Sequence, residues 1–340
     1  MKNIFKKKLI DVFSECMMHH ETRRIVKGFI RSGNTKLPRL NNIPNPYRTH
    51  FKPKEKSSRL RSDTVFITGR FRSGSTALWN LFRQVDKCTS YYEPFNERQW
   101  FSAVTRGSDV DRTHLGVDDY WNEYNGLEDL SNYYSEDWTR FDLCMDGNAY
   151  NPQMLRYIEE IIKATKNSPV LQFNRIDFRL EWIKAHFPNA KIIHLYRHPR
   201  DQWLSFLTDK KLMNCDELLH SYIDSFYLNS WCLDLSVLFP FLDIKETPHP
   251  YRRFYYLWKL SLIFGMKYSD CSLDYESLAE NPDVGIAKIF DVLDWDLNPS
   301  EYSHVFKRPI LNKWKSYASD EWFMDHELHC EGILTDYFGI

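Results

Sequence analysis

The chain has 340 residues, of which 43% are hydrophobic and 27% charged, with a net charge of −1. This composition is that of a globular protein with a sizeable core, and it excludes a disordered or fibrous chain. Seven Cys without a Cys-x-x-Cys pair favour reduced thiols over a disulfide framework or a structural zinc site. No window reaches the roughly 18–20 apolar residues of a membrane span, and the first ten residues lack a signal-peptide core, so we expect a soluble, cytoplasmic protein.

Charge is distributed unevenly along the chain. Residues 1–61 contain 16 Lys/Arg and 4 Asp/Glu, whereas the remainder carries an excess of acid. We interpret 1–61 as a basic extension and linker, and 62–340 as the folded domain. Such an arm suits peripheral contact with an anionic membrane, and a solvated extension with one amphipathic helix over 9–30 is the plainer alternative. We expect no nucleic-acid partner.

From residue 64 onward the sequence predicts strands alternating with helices. Strands are predicted at 64–68, 90–92, 170–173, 190–196 and 272–275. Helices are predicted at 75–84, 152–166, 177–187, 199–210, 216–237, 252–268 and, as the last regular helix, 282–293. Residues 97–148 are acidic and aromatic without a clear period, which indicates an insertion of loops and short helices. The alternation predicts an α/β protein with a three-layer P-loop-like fold, in which a central parallel sheet is flanked by helices.

The turn between the first strand and the first helix has the chemistry of a phosphate site. It reads Gly69-Arg70-Phe71-Arg72-Ser73-Gly74-Ser75-Thr76. Backbone N–H groups at such a turn, with the helix N-terminus, attract an anion. Gly74 permits close approach, the hydroxyls of Ser73, Ser75 and Thr76 add donors, and Arg72 adds a charged donor fork.

The turn departs from the nucleotide-binding P-loop, GxxxxGK(S/T), in one decisive position. Ser75 stands where that pattern requires Lys, and the strand at 190–196 runs into Arg197 rather than an Asp that would hold magnesium. An ATP- or GTP-dependent phosphoryl-transfer enzyme needs both groups. We therefore expect a phosphate group held without a metal.

A second segment supplies another candidate phosphate site. Arg197 lies at the carboxyl end of a predicted parallel strand, where open α/β sheets bind ligands, and Ser205 follows about two helical turns later. If that helix folds back along the strand, both side chains can meet one phosphate. The alternative is that Arg197 pairs with an acidic neighbour.

Together these segments resemble the sulfotransferases that use 3′-phosphoadenosine-5′-phosphosulfate, over about residues 64–315. The resemblance implies that the first turn holds the 5′-phosphosulfate, while Arg197 and Ser205 hold the 3′-phosphate. It also implies that Tyr275, in the segment 274–282, lies near the adenine, and that Lys313 reaches the donor phosphates. Some relatives have a further Arg four residues after the helix serine, where this chain has Asp209. In this chain Lys210 or Lys211 is the candidate substitute for that Arg.

The resemblance also indicates a branch and an acceptor. Arg72, where small-molecule enzymes have Lys, and the segment 175–179 are similar to members that act on carbohydrates and protein tyrosines. Three tryptophans could form sugar-stacking walls, namely Trp100, Trp121 and Trp138. We therefore expect a hydroxyl acceptor, with a glycan favoured over lipids, metabolites and peptides.

Glu93 is the predicted catalytic base. It follows Arg72 by 21 residues, which is the spacing of the base in the tyrosine-acting members, and a carboxylate at a strand end can accept a proton from a hydroxyl. The alternative is that Glu93 only pairs with a nearby Arg. Glu97 and His114 are weaker candidates, because nothing in the sequence fixes them relative to the loop.

Two other functions stay open at this point. A P-loop-like nucleotide kinase would bind ATP with magnesium, whereas a sulfotransferase would not need the metal. A non-catalytic binding protein on the same fold would need no base, and the joint presence of Glu93, Arg197, Ser205 and Tyr275 weighs against it.

Overall fold

The computed structural model describes residues 61–307 and 310–340. The predicted basic extension and amphipathic helix therefore lie outside the described residues. At the centre is a parallel sheet with the strand order β2-β3-β1-β4-β5. Its strands are β1 (Val65–Thr68), β2 (Cys88–Tyr92), β3 (Ser168–Phe173), β4 (Lys191–Tyr196) and β5 (Cys271–Asp274). The predicted α/β fold is confirmed.

Helices connect and cover these strands. They are α1 (Ser75–Arg83), α2 (Pro152–Lys163), α3 (Leu180–His186), α4 (Pro199–Phe206), α5 (Leu218–Ser221), α6 (Leu228–Leu235), α7 (Pro250–Tyr268), α8 (Tyr275–Glu280), α9 (Pro282–Val292) and α10 (Asp320–Phe338). Within the described part of the chain, no helix combines the length and the apolar run that a membrane crossing needs.

The sheet is covered on both faces. In β1, Phe66 packs into a core built largely with α2, α3 and α7. Val65 and Ile67 point to the opposite face and pack with α1 and α9. Because successive side chains of a strand alternate between faces, two apolar layers result, and β1 is buried at every position. This explains why the strands read as continuous apolar runs.

The predicted helix over 216–237 is wrong. The chain forms α5 and α6 with a break between them, and Tyr227 there has a left-handed backbone with φ of 63°. The carboxylate of Asp224 accepts the N–H groups of Leu228 and Asn229. These bonds cap the start of α6 and compete with a continuous helix.

Two further boundaries differ from the prediction. The helix from Pro199 ends at Phe206 rather than at residue 210, because Leu207 is extended. The prediction that 282–293 is the last regular helix is wrong, since α10 follows it. Ser319 caps α10 by accepting the N–H of Trp322.

The segment between β2 and α2 forms loops and short 3₁₀ turns, as the sequence indicates. The turns are Asn122–Tyr124, Glu128–Asn132 and Glu136–Thr139. Arg179, just before α3, is fully buried and donates to the carbonyl oxygens of Trp138, Phe141 and Asp142. One buried guanidinium thus fastens this segment to the core.

Candidate active site

One edge of the sheet carries a cleft of about 370 Å³. Since the carboxyl ends of parallel strands meet at the same edge, each strand delivers residues to it. The chain after β1 forms the Gly-rich turn, and the residues that directly follow the other four strands are Glu93, Asn174, Arg197 and Tyr275. All four line the cleft.

The turn before α1 is held in an unusual backbone conformation. Arg72 and Gly74 both have positive φ, at 68° and 93°. A Cβ on residue 74 would collide with the Tyr275 ring, so only glycine fits there. Arg70 instead points inward, 3.5 Å from the Asp177 carboxylate and above the Trp231 ring. This buried contact anchors the turn from below.

The two predicted phosphate segments meet. Nε of Arg72 lies 3.1 Å from both the carbonyl oxygen and Oγ of Ser205. Arg197 donates to the carbonyl oxygen of Arg72 at 3.2 Å. Ser205, two turns into α4, therefore comes back to the turn that Arg197 also contacts. Arg197 also faces an acid, with its Nε 3.4 Å from Glu276 and its guanidinium 5.4 Å from the Tyr275 ring.

Residues of the insertion reach the same turn. An Asp111 oxygen lies 3.3 Å from a terminal nitrogen of Arg72, and Nε2 of His114 lies 3.4 Å from the Thr76 hydroxyl. The structure thus places His114 beside the loop, which nothing in the sequence indicated. Burial lowers the pKa of His114, and the attraction of Asp111 offsets this only in part. The imidazole is therefore neutral near pH 7.

Glu93 is buried, with 6% exposure, beneath the cleft surface. One carboxylate oxygen accepts from Asn96 and from Arg175, each at 2.7 Å. The other oxygen accepts from the side-chain amide of Asn174. Glu93 thus lines the cleft and pairs with Arg175, as the alternative expected, and its role as a base stays a prediction.

Glu97 extends this network. Arg175 donates to it at 2.8 Å and Tyr227 donates its hydroxyl proton. Burial alone would raise the pKa of Glu97, but the Arg175 charge and the Tyr227 hydrogen bond outweigh it, and the pKa lies below its ordinary value. The carboxyl therefore stays ionised at neutral pH, and Arg175 binds two carboxylates.

Two predicted donor-binding residues are not brought into the cleft. Ser73 is fully buried and Lys313 is exposed, and neither lines the cavity. Lys210, where the sequence offered a substitute cation, is near both Lys313 and Arg72. Its pKa is lowered by partial desolvation and by these two positive charges.

The expectation of sugar-stacking tryptophans is wrong. Trp100 and Trp138 are 3% and 4% exposed and belong to the core, and Trp121 packs against that core and beside Arg106. None of the three lines the cleft. The cavity's aromatic residues are instead Phe71, Tyr92, Phe226, Tyr227 and Tyr275.

Sequence reasoning missed Asn174 and Asp111 in the cleft. The position directly after a buried strand was the available signal for Asn174, whereas nothing local marks Asp111.

In residues 61–307 and 310–340, no three His, Cys, Asp or Glu side chains are grouped to hold a metal ion.

A parallel sheet with helices on both faces and a Gly-rich turn between its first strand and helix defines the class of three-layer α/β, P-loop-like proteins. Residues 64–299 match the Sulfotransferase family, and the chain belongs to this family. Membership supports an enzyme that transfers a sulfuryl group.

Solved structures with a detectable likeness are distant. The sulfotransferase domain from the curacin biosynthetic pathway is 15% identical over 80% of this chain and 89% of its own, with a TM-score of 0.41. Sulfotransferase STF9 from Mycobacterium avium is 16% identical over 82% and 75%, with 0.42. Retinol dehydratase, in complex with androsterone and inactive cofactor PAP, is 17% identical over 87% and 85%, with 0.37. No curated protein matches the chain.

Proposed function

We propose that this protein transfers a sulfuryl group from 3′-phosphoadenosine-5′-phosphosulfate to an acceptor hydroxyl. The observation that carries the proposal is the meeting of Arg72, Ser205 and Arg197 in one cleft. Arg72 and Arg197, 125 positions apart in the chain, thus bring two guanidinium groups to one cleft, with Ser205 beside Arg72. A donor with phosphate groups at both ends of its ribose needs such a pair of sites.

The residues present fit that donor. The Gly74 turn and the N-terminus of α1 suit the 5′-phosphosulfate, and the tight contact of Gly74 with Tyr275 leaves the Tyr275 ring beside the turn for the adenine. Arg197 and Ser205 suit the 3′-phosphate. Lys210 brings a further positive charge close to those of Arg72 and Lys313.

The proposed step is an in-line displacement at sulfur. The acceptor oxygen forms a bond to sulfur while the bond from sulfur to the 5′-phosphate oxygen breaks, and the electron pair leaves with the nucleotide. Arg72 stabilises the charge that builds on the departing oxygen. Glu93 takes the proton of the acceptor hydroxyl.

For the acceptor we favour a glycan, as Arg72 in the turn suggests. The tryptophans no longer support this preference. Polar side chains do, because the cleft also exposes hydrogen-bonding groups suited to several hydroxyls. They are Asn96, Glu97, Asp111, Thr113 and Ser225.

Calorimetry with two nucleotides tests the donor. We expect 3′-phosphoadenosine-5′-phosphate to bind in the presence of a chelator, and ATP with magnesium to bind far more weakly. The reverse preference would point to a kinase.

Incubation with donor carrying a radiolabelled sulfuryl group and a panel of cell fractions then identifies the acceptor class. Nucleotide binding without transfer to any fraction would favour a binding protein.

A further inference from the structure

Asn174, the first residue after β3, lies between the turn and the proposed base. It is buried, with 6% exposure. Its Oδ1 accepts the hydroxyl proton of Ser75 at 2.9 Å, and its Nδ2 donates to Glu93. Gln172 donates a further hydrogen bond to the same Oδ1, at 2.7 Å. One amide thus bridges the donor loop and the carboxylate.

The chemistry of the neighbours fixes which way this amide points. An ionised carboxylate only accepts hydrogen bonds, so the NH₂ group of Asn174 faces Glu93. The amide oxygen then remains for Ser75 and Gln172, which both donate. A side chain at position 174 that lacks either a donor or an acceptor breaks at least one of these bonds.

We propose that Asn174 is a positioning residue for sulfuryl transfer, and that it couples the orientation of Glu93 to the turn that holds the donor. The inference rests on the proposed function. Asn96 and Arg175 bind Oε2 of Glu93, whereas Asn174 binds Oε1. Of these three partners, Asn174 is the one that hydrogen-bonds to the loop, through Ser75, whereas Arg175 meets the loop through its guanidinium, 5.0 Å from the centre of the Phe71 ring.

Loss of this bridge leaves Glu93 held from one side. The carboxylate can then rotate toward Arg175 without the loop moving. Displacement of a reacting group by about 1 Å can cost on the order of 10² in rate. The proposed donor contacts of Arg72, Arg197 and Ser205 do not involve Asn174, and loss of the Asn174 amide frees the Ser75 hydroxyl to bind the nucleotide. Donor affinity is therefore expected to change much less than turnover.

Three variants of the full chain test the proposal, namely Asn174→Ala, Asn174→Asp and Asn96→Ala. Asn96→Ala is the matched control, because it also removes a hydrogen-bond donor to Glu93 but leaves Ser75 unchanged. Each is measured for affinity toward 3′-phosphoadenosine-5′-phosphate by calorimetry, for its unfolding midpoint, and for the pH dependence of radiolabelled sulfuryl transfer to the accepting cell fraction.

We expect Asn174→Ala to lose about 10- to 100-fold in kcat with donor affinity nearly unchanged. In Asn174→Asp a second carboxylate faces Glu93, and two like charges at this distance cannot both ionise easily. The acid limb of its pH–rate profile should therefore move to higher pH. Asn96→Ala should show a smaller loss and no such movement. If the Asp variant does not fold, Asn174→Ser, which keeps a donor and an acceptor, should recover part of the loss.

Wild-type kcat in Asn174→Ala, or an unmoved acid limb in Asn174→Asp, would overturn the proposal. So would a loss of turnover matched by equal losses of nucleotide affinity and stability, because that pattern marks a purely structural residue. Failure of the wild-type protein to bind 3′-phosphoadenosine-5′-phosphate is a different result, which overturns the proposed function itself.

Discussion

The carboxylate of Asp111 lies 3.3 Å from the guanidinium of Arg72, so an acidic side chain from the insertion sits on the cation proposed to face the donor. Burial alone would raise the pKa of Asp111, but hydrogen bonds from Thr113 and the charge of Arg72 outweigh it and hold that pKa below its ordinary value. Asp111 is therefore an anion at neutral pH, and a phosphate or sulfate group would compete with it.

We predict that Asp111→Asn binds 3′-phosphoadenosine-5′-phosphate more tightly than the wild type. The pair is partly exposed, and such pairs contribute about 0.2–1 kcal/mol, which corresponds to at most about a fivefold change in affinity. Calorimetry at two salt concentrations measures both affinities. The difference between the variant and the wild type should shrink at high salt, because salt screens the Asp111 charge. Weaker binding by the variant would show that Asp111 helps to hold the nucleotide.

Arg72→Ala should lose about 10²–10³ in turnover, as expected when one preorganised donor is removed from a charge-stabilising site. Arg72→Lys is the matched control, since it keeps the charge and the strained backbone position but not the fork of donors. We expect it to recover only part of the rate in the sulfuryl-transfer assay. A fully active Arg72→Ala protein would rule out the proposed role.

Glu93→Gln should fold and bind nucleotide, yet transfer sulfuryl about 10²–10⁴ times more slowly, because a general base has been removed. Gln keeps an oxygen that can accept from Arg175. Glu93→Ala leaves that buried cation short of a partner, which costs up to about 3–5 kcal/mol. Comparison of unfolding midpoints with transfer rates separates the two effects. Retained turnover in the Gln variant would shift attention to His114, whose neutral imidazole lies at the same turn.

Arg197→Ala should weaken the binding of 3′-phosphoadenosine-5′-phosphate by about 10- to 100-fold, which is the range for loss of a hydrogen bond to a charged group. Adenosine 5′-monophosphate, which lacks the 3′-phosphate, should bind the variant and the wild type alike. Glu276→Gln serves as the control, because it removes the acid 3.4 Å from Arg197 and keeps the arginine. Equal weakening of both nucleotides by Arg197→Ala would contradict the assignment of a 3′-phosphate site.

A stability prediction concerns His194 in β4. Burial lowers its pKa to about 3, and its Nδ1 lies 2.7 Å from the hydroxyl of Ser272. The unfolded chain takes up this proton near pH 6.5 and the folded chain does not, so folding stability falls as the pH drops from about 6.5 toward 3, by at most about 1.4 kcal/mol per pH unit.

His194→Asn should flatten that acid loss in urea unfolding curves recorded between neutral pH and pH 4. Ser272→Ala, which keeps the histidine, should retain the wild-type pH dependence. Identical slopes for His194→Asn and the wild type would mean that other groups govern the acid sensitivity.

The sheet and the Gly-rich turn could be predicted because their signals are local. Strand β4 is covered on both faces, so it appears in the sequence as an apolar run that ends at a charged residue. Gly74 is required by a positive φ and by the Tyr275 ring, and a glycine between serines is typical of such turns. The spacing from Arg197 to Ser205 is fixed by one strand end and two helical turns.

The rest depends on contacts between distant residues. The places of Asp111 and His114 are set by the packing of the insertion, which Arg179 fastens, and no periodicity encodes that packing. The sequence does not indicate whether an aromatic side chain faces the core or a ligand. The prediction that Trp100 and Trp138 stack on a sugar was wrong for this reason. In the sequence Asn174 is an ordinary turn residue, and only the structure brings Ser75, Gln172 and Glu93 within hydrogen-bonding distance of it.

The attachment of the insertion to the core through Arg179 has a consequence for how the specificity of this protein can be changed. The insertion brings Glu97, Asp111 and His114 to the cleft, while the turn, Arg197 and Ser205 belong to the strands and helices of the core. We propose that the insertion forms most of the acceptor side of the cleft, whereas the core forms the donor side. Exchange of this one segment, with the buried Arg179 kept as its attachment, should then change which hydroxyl is sulfated, and it should change nucleotide affinity only to the extent that Asp111 acts through Arg72.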